Sequence, residues 1–202
     1  RQVDEIARGG WGGAFLHSRV GLLTRYLGEE WFLACAAAMD QCRERGLKVW
    51  LYDEDKWPSG FSGGSVPLAD PGFRCRMLIA RPEGAAPPVS SRPLGAPADG
   101  LQLYEFEAPL GHGWFNGACY ADLMDRQAMR KFLEDAYISY HERFGRDYGS
   151  LITAEFTDEP AATFRGRAPH GGVPFSRELP ERFRALHGYD PAPHWLKLFR
   201  DE

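Results

Sequence analysis

The chain has 202 residues, 44% hydrophobic, 13% aromatic and 26% charged, with a formal net charge of −4. This composition supports a buried core and excludes a disordered or collagen-like chain. The slight acidity argues against a broad basic surface for nucleic acid, and no run approaches the roughly 20 consecutive apolar residues of a membrane span. No signal peptide is visible, and the chain opens at Arg1 without an initiator Met, so its first residues do not report a compartment. Cys35, Cys42, Cys75 and Cys119 form no CxxC pair and no metal-ligand spacing. Cys35 and Cys42 fall on one predicted helix face, as small buried apolar residues do.

In chain order, residues 1–8 read as an amphipathic helix with Val3, Ile6 and Ala7 on one face, stopped by Gly9-Gly10. Residues 13–18 (GAFLHS) read as a buried strand. Residues 29–45 repeat Trp31, Cys35, Ala38, Met39 and Cys42 at helical spacing, with Glu29 and Glu30 at the start and Gly46 as the stop. Residues 47–53 (LKVWLYD) follow as a second strand, and a βα repeat of about 35 residues implies a parallel sheet. Residues 56–120 break the rhythm, with a Pro/Gly/Ala/Ser-rich run between strand-like stretches at 74–80 and 101–107. They read as an inserted antiparallel hairpin, placed at 72–120, with its tip at 82–99. A linker between two domains is the alternative, disfavoured because the flanks look too short for two cores.

Asp125 is a predicted N-cap, followed by an apolar stripe of Met129, Phe132, Leu133, Ala136, Tyr137, Tyr140 and Phe144 up to Gly145. Residues 151–156 form a third strand running into Thr157-Asp158-Glu159-Pro160. A Gly/Pro-rich loop (161–175) and helical pieces at 180–187 and 193–200 complete the chain.

In parallel βα folds, chemistry gathers at the carboxyl ends of strands. Here those ends read His17-Ser18-Arg19, Tyr52-Asp53-Glu54-Asp55 with Trp57 behind, and Thr157-Asp158-Glu159; the opposite ends carry glycine turns. One rim therefore collects carboxylates, a histidine, an arginine and aromatics, as a polar ligand site does. Glu159, on a strand end with its exit set by Pro160, suits general acid work; a capping or salt-bridged carboxylate is the plainer alternative, and Glu155 is a rival. Trp57 and Trp11 suit stacking on sugar faces or packing in a core. His17 and Arg19 share a side by period two. No GxSxG elbow, P-loop or GxGxxG is present, and GFSGG (60–64), lacking a Lys, reads as a pliable loop.

The strings GGAFLHSRVGL, EEW, VWLYDEDKWPSGFSGG, FTDEP and LHGYDP, taken together, resemble the barrel domain of glycoside hydrolase family 106, the α-L-rhamnosidase-like enzymes, over residues 1–200 except the 82–99 tip. The resemblance implies an α/β chain forming part of a (β/α)8 TIM barrel, strands two to four with their helices, residues 1–202 being a fragment with a small antiparallel β insertion. It implies inverting hydrolysis with Glu159 as general acid, the base lying on a later strand of the parent barrel outside this chain. His17, Arg19, Asp53, Glu54, Trp57 and Asp158 would line the sugar pocket. It further implies a calcium requirement with ligands unassigned, no organic cofactor, rhamnosides or plant-polysaccharide side chains as substrate, and export from a bacterial cytoplasm. By itself the fragment is expected to be inactive. Two other readings stand beside this one. One is a non-catalytic carbohydrate-binding or structural half-barrel module; the other is a metal-dependent hydrolase or isomerase using Asp53, Asp55, Asp158 and Glu159 as oxygen ligands.

Overall fold

The architecture follows from apolar residues recurring every three to four positions in the helices and from glycines where elements meet. The structure, a computed structural model, describes residues 1–162 and 171–199. Its first half runs α1 (Gln2–Arg8), β1 (Gly13–Leu16), α2 (Glu29–Glu44), β2 (Lys48–Tyr52), α3 (Ser65–Ala69), β3 (Arg76–Pro82) and β4 (Ser91–Pro93). Then come β5 (Leu101–Glu107), α4 (Arg126–Leu133), α5 (Ser139–Phe144), β6 (Ile152–Phe156), β7 (Val173–Phe175) and α6 (Leu179–His187). A π-helical turn, Glu134–Ile138, joins α4 to α5. The chain is α/β, with a parallel three-stranded sheet of order β1-β2-β6 and an antiparallel four-stranded sheet of order β4-β5-β3-β7. No described helix is long and apolar enough to cross a membrane. Contacts divide the chain into one unit of residues 1–63 and 131–160, and a second of 64–130 and 161–202.

In the first unit, α2 places Trp31, Cys35, Met39 and Cys42 against Val49 and Leu51 of β2, with Tyr140 and Phe144 of α5 and Ile152 of β6 closing the core. The Trp31 indole N–H donates to the Tyr140 hydroxyl at 2.8 Å, tying the two helices together. Val3, Ile6 and Ala7 pack on this core, as their spacing predicts. Gly13 permits the β1–β2 pairing, because a Cβ there would collide with the Lys48 carbonyl.

The other face of the parallel sheet departs from expectation. Phe15 is 52% exposed, so β1 is not a buried strand, and Trp50 and Phe156 are also open. Their rings meet Phe15 edge-on at 5.0 and 5.5 Å. The register slips between Val49↔Ile152 and Trp50↔Ala154, leaving Thr153 as the extra residue of a bulge. In consequence Ile152 enters the helix-side core, while Phe156 joins the open aromatic face. Leu133, expected in the apolar stripe, is exposed.

In the second unit, Arg76–Pro82 pairs with Leu101–Glu107 as the expected hairpin, and the expected tip contributes β4. The sheet gains a fourth strand from residues 173–175, within the stretch whose Gly/Pro content predicts a loop. The rest of that loop, 163–170, lies outside the described residues, as does Arg200 of the second helical piece. Leu78, Leu103, Phe175 and Trp195 form a core of its own, drawing on residues far beyond 72–120. Asp125 caps α4 as predicted, accepting from the backbone N–H of Gln127 and Ala128. All four cysteines are buried thiols.

The contrast within α2 gives a test. Met39→Ala, in the core, should destabilise the protein by about 2–5 kcal/mol. Leu33→Ala, on the exposed side of the same helix, should stay within about 0.5 kcal/mol. Urea unfolding followed by tryptophan fluorescence decides the order.

Candidate functional site

The carboxyl ends of β1, β2 and β6 meet, and buried carboxylates build the ground they stand on. Glu54 is fully buried. Its Oε1 accepts from the backbone N–H of Asp55 and Gly63, and its Oε2 from Gly60, Phe61 and Ser62, at 2.6–3.1 Å. Residues 60–63 thus wrap a nest of N–H groups around an anion. Positive φ at Gly60, Ser62 and Gly63 (130°, 47° and 61°) turns those groups inward. The GFSGG string is therefore not a pliable loop but an anion cradle whose anion is the protein's own. Burial pushes the Glu54 carboxyl up to about 8, and the five donors pull the other way. All five of these groups are backbone donors, so the loop is built around an acceptor.

Asp53, 1% exposed, is held in the same manner by hydroxyls. Ser59 donates to Oδ1 at 2.5 Å, while Tyr137 and Thr157 donate to Oδ2 at 2.8 and 2.6 Å. Burial raises its pKa against those three hydrogen bonds. Asp53 and Glu54, both expected to line a sugar pocket, instead spend their lone pairs inside the protein. Asp55 is buried too, with the Lys56 ammonium 3.7 Å from Oδ2. Ser18 Oγ bridges β1 to this segment through the Glu54 and Asp55 carbonyls, both at 2.9 Å.

Above this base stand the groups open to a ligand. Asp158 is partly buried; Tyr52 donates to its Oδ2 at 2.5 Å, and among the described residues Oδ1 makes no hydrogen bond. Its backbone N–H donates to Ser59 Oγ and its carbonyl accepts from Ser59 N–H, both at 2.9 Å. His17 stacks on Tyr52 with ring centroids 3.4 Å apart, and its Nδ1 lies 3.5 Å from the guanidinium of exposed Arg19. Its Nε2 is buried without a partner. Burial, reinforced by Arg19, lowers the His17 pKa to about 4. Glu159 is exposed and takes the Trp57 indole N–H on Oε2 at 3.2 Å. Its φ of 41° is left-handed, a conformation that costs a non-glycine residue about 1–3 kcal/mol.

The structure therefore brings His17, Arg19, Trp57, Asp158 and Glu159 to one rim and withdraws Asp53 and Glu54 from it. Glu155 leaves the contest as well: the bulge turns it to the helix side, where Tyr148 donates to its carboxylate. Sequence reasoning places Tyr52 and Thr157 on the polar strand ends and Tyr137 in the apolar stripe, but it assigns none of them, nor Ser59, to holding Asp53 or Asp158. Among the described residues, no group of three or more His, Cys, Asp or Glu side chains is placed to hold a metal ion. With Asp53 and Glu54 engaged by eight donors, these residues alone do not assemble the oxygen cage that calcium takes. No protein-family model, no curated protein and no solved structure matches the chain.

Two outcomes follow from these contacts. Glu54→Gln keeps the shape but sets an NH2 against backbone N–H donors, so it should destabilise by about 1–3 kcal/mol. Amide exchange at Gly60–Gly63 should quicken with it. His17, neutral in the fold and ordinarily titrating at 6.5, contributes stability that is complete above that pH and is lost as pH falls toward about 4. Urea midpoints of His17→Asn should fall less steeply than wild type across that window.

Proposed function

We propose that the first unit is the acid-bearing part of a (β/α)8-barrel glycoside hydrolase of α-L-rhamnosidase type, acting on rhamnosides or plant-polysaccharide side chains. The observation that carries this reading is the rim itself: an exposed carboxylate, Glu159, on a strained strand end, with an indole N–H on one oxygen and Asp158 adjacent. An acid that protonates a leaving glycosidic oxygen must be reachable by substrate yet held in direction. Trp57 supplies the hold and an apolar surface for a sugar ring. Asp158, with Oδ2 fixed by Tyr52, turns its other oxygen to sugar hydroxyls, and His17 and Arg19 complete the polar wall.

The bare aromatic face supports the barrel. Parallel sheets are ordinarily covered on both sides. A sheet with helices on one side and Phe15, Trp50 and Phe156 open on the other matches the wall of a barrel whose interior is filled by side chains from these and further strands. The base that activates water then belongs to a strand outside residues 1–202. The inverting mechanism sets it roughly 6.5–9.5 Å from the Glu159 carboxyl.

A second reading, a sugar-binding module without turnover, draws support from the locking of Asp53 and Glu54, which leaves few rim carboxylates free for chemistry. Hydrolysis of aryl and alkyl α-L-rhamnosides by the complete gene product separates the two. Under the enzymatic reading, Glu159→Gln should lower kcat on alkyl rhamnosides by about 10²–10⁴-fold. Activated aryl substrates, which need little protonation, should lose far less. Equal loss on both classes removes Glu159 from the acid role, and binding without turnover favours the module.

A further inference from the structure

The second unit contains a hollow of about 310 Å³ that the sugar chemistry does not use. It lies on the side of the antiparallel sheet carrying Met77 and Phe106, and Cys75, Phe115 and Cys119 also line it. Met77 and Phe106 are directly paired across β3 and β5, so both side chains project to the same side. Leu78 and Leu103 serve the separate core.

We propose that this hollow is a binding site for a small neutral aromatic molecule. Its volume lies at the lower end of ligand pockets, about 300–1,000 Å³, enough for one or two fused rings. Among the described residues that line it there is no Asp, Glu, Lys or Arg, so a charged ligand would leave its hydration shell without compensation. The walls carry three sulfur atoms and three benzene rings, polarisable surfaces that favour the face and edge of another ring over an aliphatic chain. His112, the lining imidazole, accepts the Trp114 backbone N–H on Nδ1 at 3.2 Å, a contact that requires an unprotonated nitrogen there. The apolar surroundings also push the Cys119 thiol up to about 12, which keeps it neutral. Filling the hollow removes apolar wall from water, the driving force for such binding.

The site stands whether or not the first unit hydrolyses glycosides, and its test needs no turnover. Titrating the full chain with 1-naphthylamine, an uncharged fluorescent probe of two fused rings, should show saturable binding at one site per chain, displaced by indole. Ala108→Leu, which fills the hollow, should weaken binding about tenfold or more with unchanged circular dichroism. Leu110→Glu, on the rim where the side chain is 43% exposed, should do the same without touching a buried wall, and it carries the test should Ala108→Leu fail to fold. Absence of saturable binding, or unchanged affinity in Leu110→Glu, overturns the proposal.

Discussion

The five backbone N–H groups that converge on Glu54 are the constraint on which the candidate site rests. A buried carboxylate is costly unless its lone pairs are met, and here the chain meets them with its own amides. The consequence is mechanical. Residues 60–63 cannot leave without stranding a buried charge, so the segment that follows β2 is held to the end of that strand. Ser59, one residue before the nest, is thereby fixed where it reaches both Asp53 and Asp158. A helix cap or a hydrophobic plug would also close a loop, but neither would align successive amides so strictly.

Two irregularities in otherwise regular elements finish the arrangement. The bulge in β6 changes the phase of the strand, so Glu155 and Thr157 turn to the helices while Phe156 joins the open face. The π turn between α4 and α5 carries Tyr137, whose hydroxyl meets both Thr157 and Asp53. Such turns and bulges occur often beside functional sites because each re-aims one side chain without unfolding its element. Here both act on the same carboxylate. Asp53 is thus held from the loop, the neighbouring strand and the helix layer at once.

The regular parts of this were legible in the amino-acid order. The stripe through Trp31, Cys35, Met39 and Cys42, the caps at Gly46 and Asp125, and the parallel strands all follow from period and punctuation. Residue type alone misled at Phe15 and Leu133, which look like core and are exposed. It misled again at Asp53 and Glu54, where a dense acidic strand end looks like a ligand surface. What decides their role is a set of donors that sequence does not bring together. Tyr137 lies 84 positions from Asp53, and the nest around Glu54 depends on backbone dihedrals rather than on side chains. Gly60, Gly63 and Gly64 read in sequence as a pliable loop; only its fold shows that it encloses an anion.

The buried carboxylates also explain how an exposed one keeps its aim. Glu159 follows a residue pinned three ways, through its N–H and carbonyl to Ser59 and through Oδ2 to Tyr52, and it precedes Pro160. Proline disfavours the right-handed helical region for the residue before it, and the chain must still leave the strand. Glu159 leaves the strand through a left-handed turn, at a cost of about 1–3 kcal/mol. A loosely held strand end would relax that strain by rotating the carboxylate away from Trp57. Held by Ser59, and behind it by Asp53 and the Glu54 nest, the strand end cannot rotate. The strain therefore persists as orientation of an exposed carboxylate.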